Sequence, residues 1–491
     1  MTSKRQAVTR IRGTVLIAAL SGTLALAGPP AKPIPPAQQA PPAKPAPAPQ
    51  IAPSAQPSDS LDLRVDAYLE PFVQGGNFSG AILLARAGKP LVSRAYGMAN
   101  YELDVANTPR TRFHIASVSK PFTAAAVLLL EAQGRLKVSD QVARFIPDFP
   151  RGQSTTLLHL LTHTSGIADI NGAPIYAAES MKPHTPLDLV NLIRGLEPTA
   201  APGERYAYSN SNYNLLAYVI ERASGRPYGE FLHDAIFAPV GMADTGHDGN
   251  AQALIAGRAA GYVPEGIDGF GNAPWFDWST KTGNGSLYST TADLLKFDQA
   301  LYADRLLPKG AIDRILEAGQ GNVFGWFVND RLGRRCMAAN GRSPGFTATL
   351  QRYIDDQVTV IVLANTYSTV TQAPIAADLA ALTLGDTIAP PSDVVPISVG
   401  EPALAAFEGT YAGGDDFFFP GATLTVTRRV GYLMMHWSTQ ADSTLVPVAP
   451  DTFLDRSFWA RVRFARDADG KPSRLVWIYS DKEYPAARRS P

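Results

Sequence analysis

Apolar residues recur along this chain with three different rhythms, and each predicts a different kind of element. Helical spacing over residues 61–72, entered through Asp59 or Ser60 as a cap, predicts a first helix. Two strand-like runs follow at 80–86 and 91–96, joined by an Ala87-Gly88-Lys89 turn. From Ser117 past Ala124-Ala125-Ala126 to Glu131 the chain is apolar on all sides, which predicts a helix buried at the centre of its domain. Helical patterns at 186–196, 212–224, 291–302 and 309–318 continue this middle region. Strand patterns then return at 324–329, 335–339, 346–353 and 358–364, and a helix over 371–384 closes the unit. Strands at both ends with helices between them predict an α+β fold. It consists of one antiparallel sheet flanked by helices, with a helical layer inserted.

After Ala389-Pro390-Pro391-Ser392-Asp393 the rhythm shortens. Strands expected at 424–428, 432–437, 445–448, 459–465 and 474–479 describe a small all-β, lipocalin-like barrel. The N-terminus has a different composition. Lys4, Arg5, Arg10 and Arg12 precede an apolar run over 13–24 and Ala25-Leu26-Ala27, the pattern of a cleaved export leader, with an uncleaved anchor as the alternative. Residues 28–59 are largely Pro, Ala, Gln and Lys, an extended spacer unable to form a core. The expected organisation is therefore a leader (1–27), a spacer (28–59), a first domain (60–386), a linker (387–400) and a β module (401–491). The folded part would be exported, periplasmic or secreted, with the semi-rigid spacer holding it off a nearby membrane or cell wall.

Composition narrows the function. The 491 residues, 45% of them hydrophobic, suffice for two or three domains. Forty-four basic residues balance 44 acidic ones, so a nucleic-acid partner is not expected. The single cysteine, Cys336, excludes an internal disulfide framework and a cysteine-ligated metal, and reads as a small buried apolar residue. No pair among the seven histidines has the His-Glu-x-x-His spacing of a helical zinc site. No metal or organic cofactor is expected, and the natural partner would be a small-molecule or peptide substrate.

Ser117-Val118-Ser119-Lys120 is the only Ser-x-x-Lys in the chain. Placed at the start of a buried helix, Ser117 and Lys120 lie one turn apart on one face. The free N–H groups and positive end of the helix sit beside the serine oxygen. An apolar setting would depress the lysine pKa and let it take the serine proton. Tyr208-Ser209-Asn210 precedes another helix. Tyr208 is either a packing residue or, near Lys120, a phenolate base, and Asn210 could donate a hydrogen bond to substrate.

With these motifs the chain resembles the serine β-lactamase and penicillin-binding-protein superfamily, and within it the class C β-lactamase-related hydrolases. Leu160-Leu161-Thr162-His163-Thr164-Ser165-Gly166-Ile167, Gly285-Ser286-Leu287-Tyr288-Ser289-Thr290, Phe324-Gly325-Trp326 and Pro344-Gly345-Phe346 extend the resemblance over about residues 61–385. It implies an acyl-enzyme mechanism with Ser117 as nucleophile, Lys120 and Tyr208 handling its proton, and Asn210 binding substrate. It also implies an oxyanion hole of the Ser117 and Arg342 N–H groups beside Gly341. One motif departs from the family: its usual Lys or His falls on Ala339, which predicts a gap facing the bound acyl group. Arg342 would be the residue to restore a charge, from another point in space. Substrates would be small esters, D-amino-acid peptides or amides, or β-lactams. The alternative is a non-catalytic binding or regulatory protein on the same fold.

Three other features read as structural. Gly341-Arg342-Ser343-Pro344-Gly345 fits a nucleophile elbow, but a strand rather than a helix is expected after it. His163 is expected to bond locally and shape its turn. Trp437, Trp459 and Trp477 are expected in the barrel core.

Overall fold

A computed structural model describes residues 60–303, 305–317, 321–367, 372–389, 391, 395–438, 442–479 and 482–489. The expected leader and spacer lie outside the described residues. Among these residues, no helix is long and apolar enough to cross a membrane.

The central sheet contains β1 (Gly80–Arg86), β2 (Lys89–Tyr96), β3 (Asn322–Val323), β4 (Trp326–Arg331), β5 (Arg334–Ser343), β6 (Phe346–Tyr353) and β7 (Val358–Ala364). Its order is β3-β4-β5-β6-β7-β1-β2, all antiparallel. The N-terminal hairpin is therefore added beside the last strand, with Gly80 opposite Ala364. A side chain at Gly80 would collide with the Leu363 carbonyl, so glycine permits this junction.

Both faces of the sheet are covered. On one, Ile82, Leu84, Val360 and Val362 meet α1 (Leu61–Gln74) and the closing helix Gln372–Leu384. On the other, Leu83, Met337, Leu350 and Ile361 meet the inserted helical layer. Strands buried on two faces lose the inside–outside alternation, and β6 and β7 are buried throughout. At the centre of the inserted layer is α2 (Lys120–Ala132), buried at every position from Lys120 to Leu128. Beside it runs α3 (Asn210–Ser224), which ends on Gly225 in the left-handed conformation.

The C-terminal module is a closed barrel of eight consecutive antiparallel strands. Three were not expected from the sequence: Gly409–Gly413, Thr452–Asp455 and Lys482–Arg488. Each is short or carries Gly, Pro or charge, so local pattern alone gives little signal. Nor is the module wholly β, since the helix Glu401–Ala405 places Leu404 in the barrel core.

The tryptophan expectation holds for Trp437 and Trp477, which pack inside the barrel. It fails for Trp459. This residue leaves the barrel and packs, tilted, against Phe72 of α1, with ring centroids 4.7 Å apart. Beside it the fully buried Arg456 donates to the carbonyls of Glu265, Gly266, Gly269 and Gly76 at 2.9–3.1 Å. The two modules thus meet through a buried guanidinium held by carbonyl oxygens.

Candidate active site

Ser117 is delivered by a strained turn. The strand Phe113–His114 ends at Ile115, and Ala116 then adopts φ +46, a left-handed conformation costly for alanine. The chain enters a 3₁₀ turn over Ala116–Ser119 before α2 begins at Lys120. The expected helix therefore starts tighter than an α-helix. Pro121 fits because its nitrogen needs no helical acceptor there. Ser119 Oγ accepts from the Leu287 N–H at 3.1 Å and anchors the turn to a neighbouring strand.

Lys120 is fully buried, and its Nζ lies 2.9 Å from each of Ser117 Oγ, Asn210 Oδ1 and the Asn284 carbonyl oxygen. Burial pushes its pKa well below the ordinary lysine range; Asp169 opposes that shift and Lys281 adds to it. Asn210 cannot turn freely, because its Nδ2 donates to Asp169 Oδ2 at 3.0 Å. Asp169 Oδ1 also accepts from the Asn210 N–H and so caps α3, a task that Ser209 leaves undone.

Tyr208 Oη is 3.1 Å from Ser117 Oγ. Desolvation pushes its hydroxyl pKa upward, against the Ser117 hydrogen bond, which lowers it. The side chain keeps 37% of its surface exposed to the cleft, so desolvation acts on it less fully than on Lys120. Desolvation is the larger effect and disfavours a standing phenolate, so the structure favours Tyr208 as a protonated hydroxyl beside the serine. His163 stacks on the Tyr208 ring at 4.4 Å. Its Nδ1 accepts from the Ser209 N–H at 3.1 Å, which leaves Nε2 to donate to Asn322 Oδ1 at 3.2 Å. Burial pushes its pKa down to about 3. His163 thus backs the tyrosine over a long range rather than bonding only within its own turn.

These groups open onto a cleft of about 530 Å³ whose other wall is β5, with Asn340, Gly341, Arg342 and Ser343. A Cβ at Gly341 would stand 2.1 Å from the Ile115 carbonyl oxygen and 3.0 Å from the Ser117 nitrogen, so only glycine lets the strand come this close. Arg342 is exposed on the wall, with its guanidinium 5.8 Å from the Tyr367 ring centre. Ser343 leads through a tight turn into β6, so the nucleophile-elbow reading fails. Ala339 shares a face with Gly341 but is fully buried in the core and does not line the cleft. The expected gap is not there.

Sequence reasoning missed Asp169, Lys281 and the Asn284 carbonyl. A lone carboxylate and a lone lysine belong to no spaced motif, and a backbone oxygen leaves no mark in residue type. Only the neighbouring Gly285-Ser286-Leu287 segment pointed to this loop.

The Beta-lactamase family profile matches residues 65–385. Penicillin-binding protein 4* of Bacillus subtilis is 33% identical over 318 residues, which cover 59% of this chain and 68% of that protein. D-amino acid amidase from Ochrobactrum anthropi SV3 superposes with a TM-score of 0.61 at 23% identity, over 66% of this chain and 99% of the amidase. The octameric penicillin-binding protein homologue from Pyrococcus abyssi gives 0.60 at 22% identity, over 87% of this chain and 99% of its own. These two structural likenesses concern the fold.

Proposed function

Since the chain belongs to the Beta-lactamase family of serine hydrolases, we propose that it is itself a catalyst and hydrolyses an acyl substrate through a covalent Ser117 intermediate. The observation that carries this reading is the environment of Lys120 Nζ. A neutral amine has two N–H donors and one lone pair. The two carbonyl oxygens, of Asn210 and Asn284, take the donors, and the lone pair faces the Ser117 hydroxyl. Burial favours that neutral form, so Lys120 is ready to accept the serine proton.

Attack of Ser117 Oγ on the carbonyl carbon then forms the tetrahedral adduct while its proton passes to Lys120. Tyr208, protonated and 3.1 Å from Ser117 Oγ, can relay a proton to the leaving group. As a first-turn residue Ser117 has no helical acceptor for its own N–H, and with Arg342 N–H it supplies the oxyanion hole. Water completes the cycle by attacking the acyl-enzyme. Esters, D-amino-acid amides and β-lactams all fit this chemistry. The Pro/Ala-rich N-terminal segment and the penicillin-binding relatives favour an exported enzyme working near the cell wall.

The experiment is labelling with a fluorophosphonate or penicillin probe, followed by mass-spectrometric identification of the modified serine. Modification of Ser117 in the parent chain and none in Ser117→Ala is the expected result. A pocket that binds ligand without acylation would favour the binding-protein reading.

A further inference from the structure

Lys281 neither gives nor takes a proton in the chemistry above, yet it lines the same cleft as Ser117 and Asn210. It ends the short 3₁₀ turn Trp278–Lys281, and its carbonyl oxygen accepts from the Asn284 and Gly285 N–H groups at 2.9 and 2.8 Å. The loop is fastened from outside as well: Asn214 of α3 donates to the Thr280 and Thr282 carbonyls and accepts from Asn284 Nδ2. The loop that supplies a carbonyl to Lys120 therefore also fixes the stem of Lys281.

The head of Lys281 is unusual. The residue is only 7% exposed, and its Nζ lies 4.9 Å from the Tyr176 ring centre and 5.6 Å from that of Phe276. Among the described residues no carboxylate pairs with it and no acceptor takes its hydrogens. Ring faces attract a cation, but they replace only part of the water it loses. On the same cleft, Asn171 Oδ1 is buried without a donor. An unpaired cation and an unpaired carbonyl thus line the site together, one calling for an anion and the other for an N–H.

We propose that Lys281 is the anion anchor of this active site, holding a substrate carboxylate while Asn171 accepts an N–H from the same molecule. That pairing selects an amino-acid or peptide acid over a neutral ester. It places the substrate cation site on the loop that follows Trp278, whereas β5 carries Ala339. This inference rests on the acyl-transfer reading, whose failure would look different.

The test compares an N-acylglycyl thioester with a free carboxylate in its leaving group against the methyl ester of that acid. The variants are Lys281→Met, which keeps the stem, and Lys281→Arg, which keeps the charge. A charge-assisted hydrogen bond corresponds to about ten- to a hundredfold in kcat/KM. Lys281→Met should lose that much more on the acid than on the methyl ester, and Lys281→Arg should recover most of it. Equal losses on both substrates, with or without a lower melting temperature, would overturn the proposal. A second arm does not need turnover: calorimetric titration of the Ser117→Ala protein with N-acetylalanine and its methyl ester. Preference for the acid, lost on adding Lys281→Met, supports the anchor even if the parent chain hydrolyses nothing. Equal binding of acid and ester, or no binding of the acid, overturns it.

Discussion

Lys120 and Tyr208 approach one serine oxygen from two sides, so their contributions are not independent. Positioned proton transfer is commonly worth about 10²–10⁴-fold. Lys120→Ala and Tyr208→Phe should each lower acylation of a chromogenic ester within that range, and the double variant should fall little further. Burst-phase kinetics of the four proteins measures this, and multiplicative losses would separate the two roles. The pH profile follows from the same burial. The base must be unprotonated, and its pKa is lowered, so kcat/KM should rise with pH along an acid limb well below the ordinary lysine range. Lys281→Met removes one lowering charge and should move that limb to higher pH. His163 gives a stability signature instead. Its folded pKa is about 3, whereas the unfolded chain takes up a proton below about 6.5, so its contribution is present above that value and lost as pH falls toward 3. Melting curves between pH 7 and pH 4 should therefore fall less steeply in His163→Gln.

At the scale of elements, the closest tolerance in the site is between β5 and the Ser117 turn. Gly341→Ala must push the strand away from Ile115, and a displacement of about 1 Å can cost about 10²-fold in rate. Turnover should drop by that order while the melting temperature changes little; a folding defect with unchanged turnover per folded molecule would show that the contact is only structural. The same contact shows what sequence can convey. Ser117, Lys120, Tyr208 and Asn210 stood out because spaced polar residues at helix starts are rare and local, and the structure brings all four together. β6, β7 and the helix Thr291–Tyr302 were legible because burial left them long apolar or periodic runs. Ala339 was read from alignment along one strand, which fixes register but not what packs above it. Asp169 and Lys281 reach the site by folding of loops, and no local pattern encodes that.

For the whole molecule, the Arg456 guanidinium and the Trp459 indole are the largest side chains at the junction of the barrel with the hydrolase unit, and Thr444 adds a hydrogen bond to the Pro264 carbonyl. Among the described residues no carboxylate forms an ion pair with Arg456, and burial lowers its pKa to about 10 against the opposing charge of Asp268. Arg456→Met would leave four inward carbonyls without their donor, at a cost of about 1–3 kcal/mol for each group that water cannot reach. Calorimetry should show the barrel melting separately and earlier, while Arg456→Lys should recover part of the loss; an unchanged single transition would mean that the remaining contacts, with Trp459 and Thr444 among them, couple the modules without the guanidinium. The position of β1 has its own consequence, in time rather than space. Its partner on the inner side is β7, which follows the entire inserted helical layer in the chain. During synthesis the first hairpin is made early and waits with one edge unpaired until β7 has been made. Contacts so distant in sequence close slowly. The sheet beneath Ser117 therefore closes late, after the whole inserted helical layer between β2 and β3 has been synthesised.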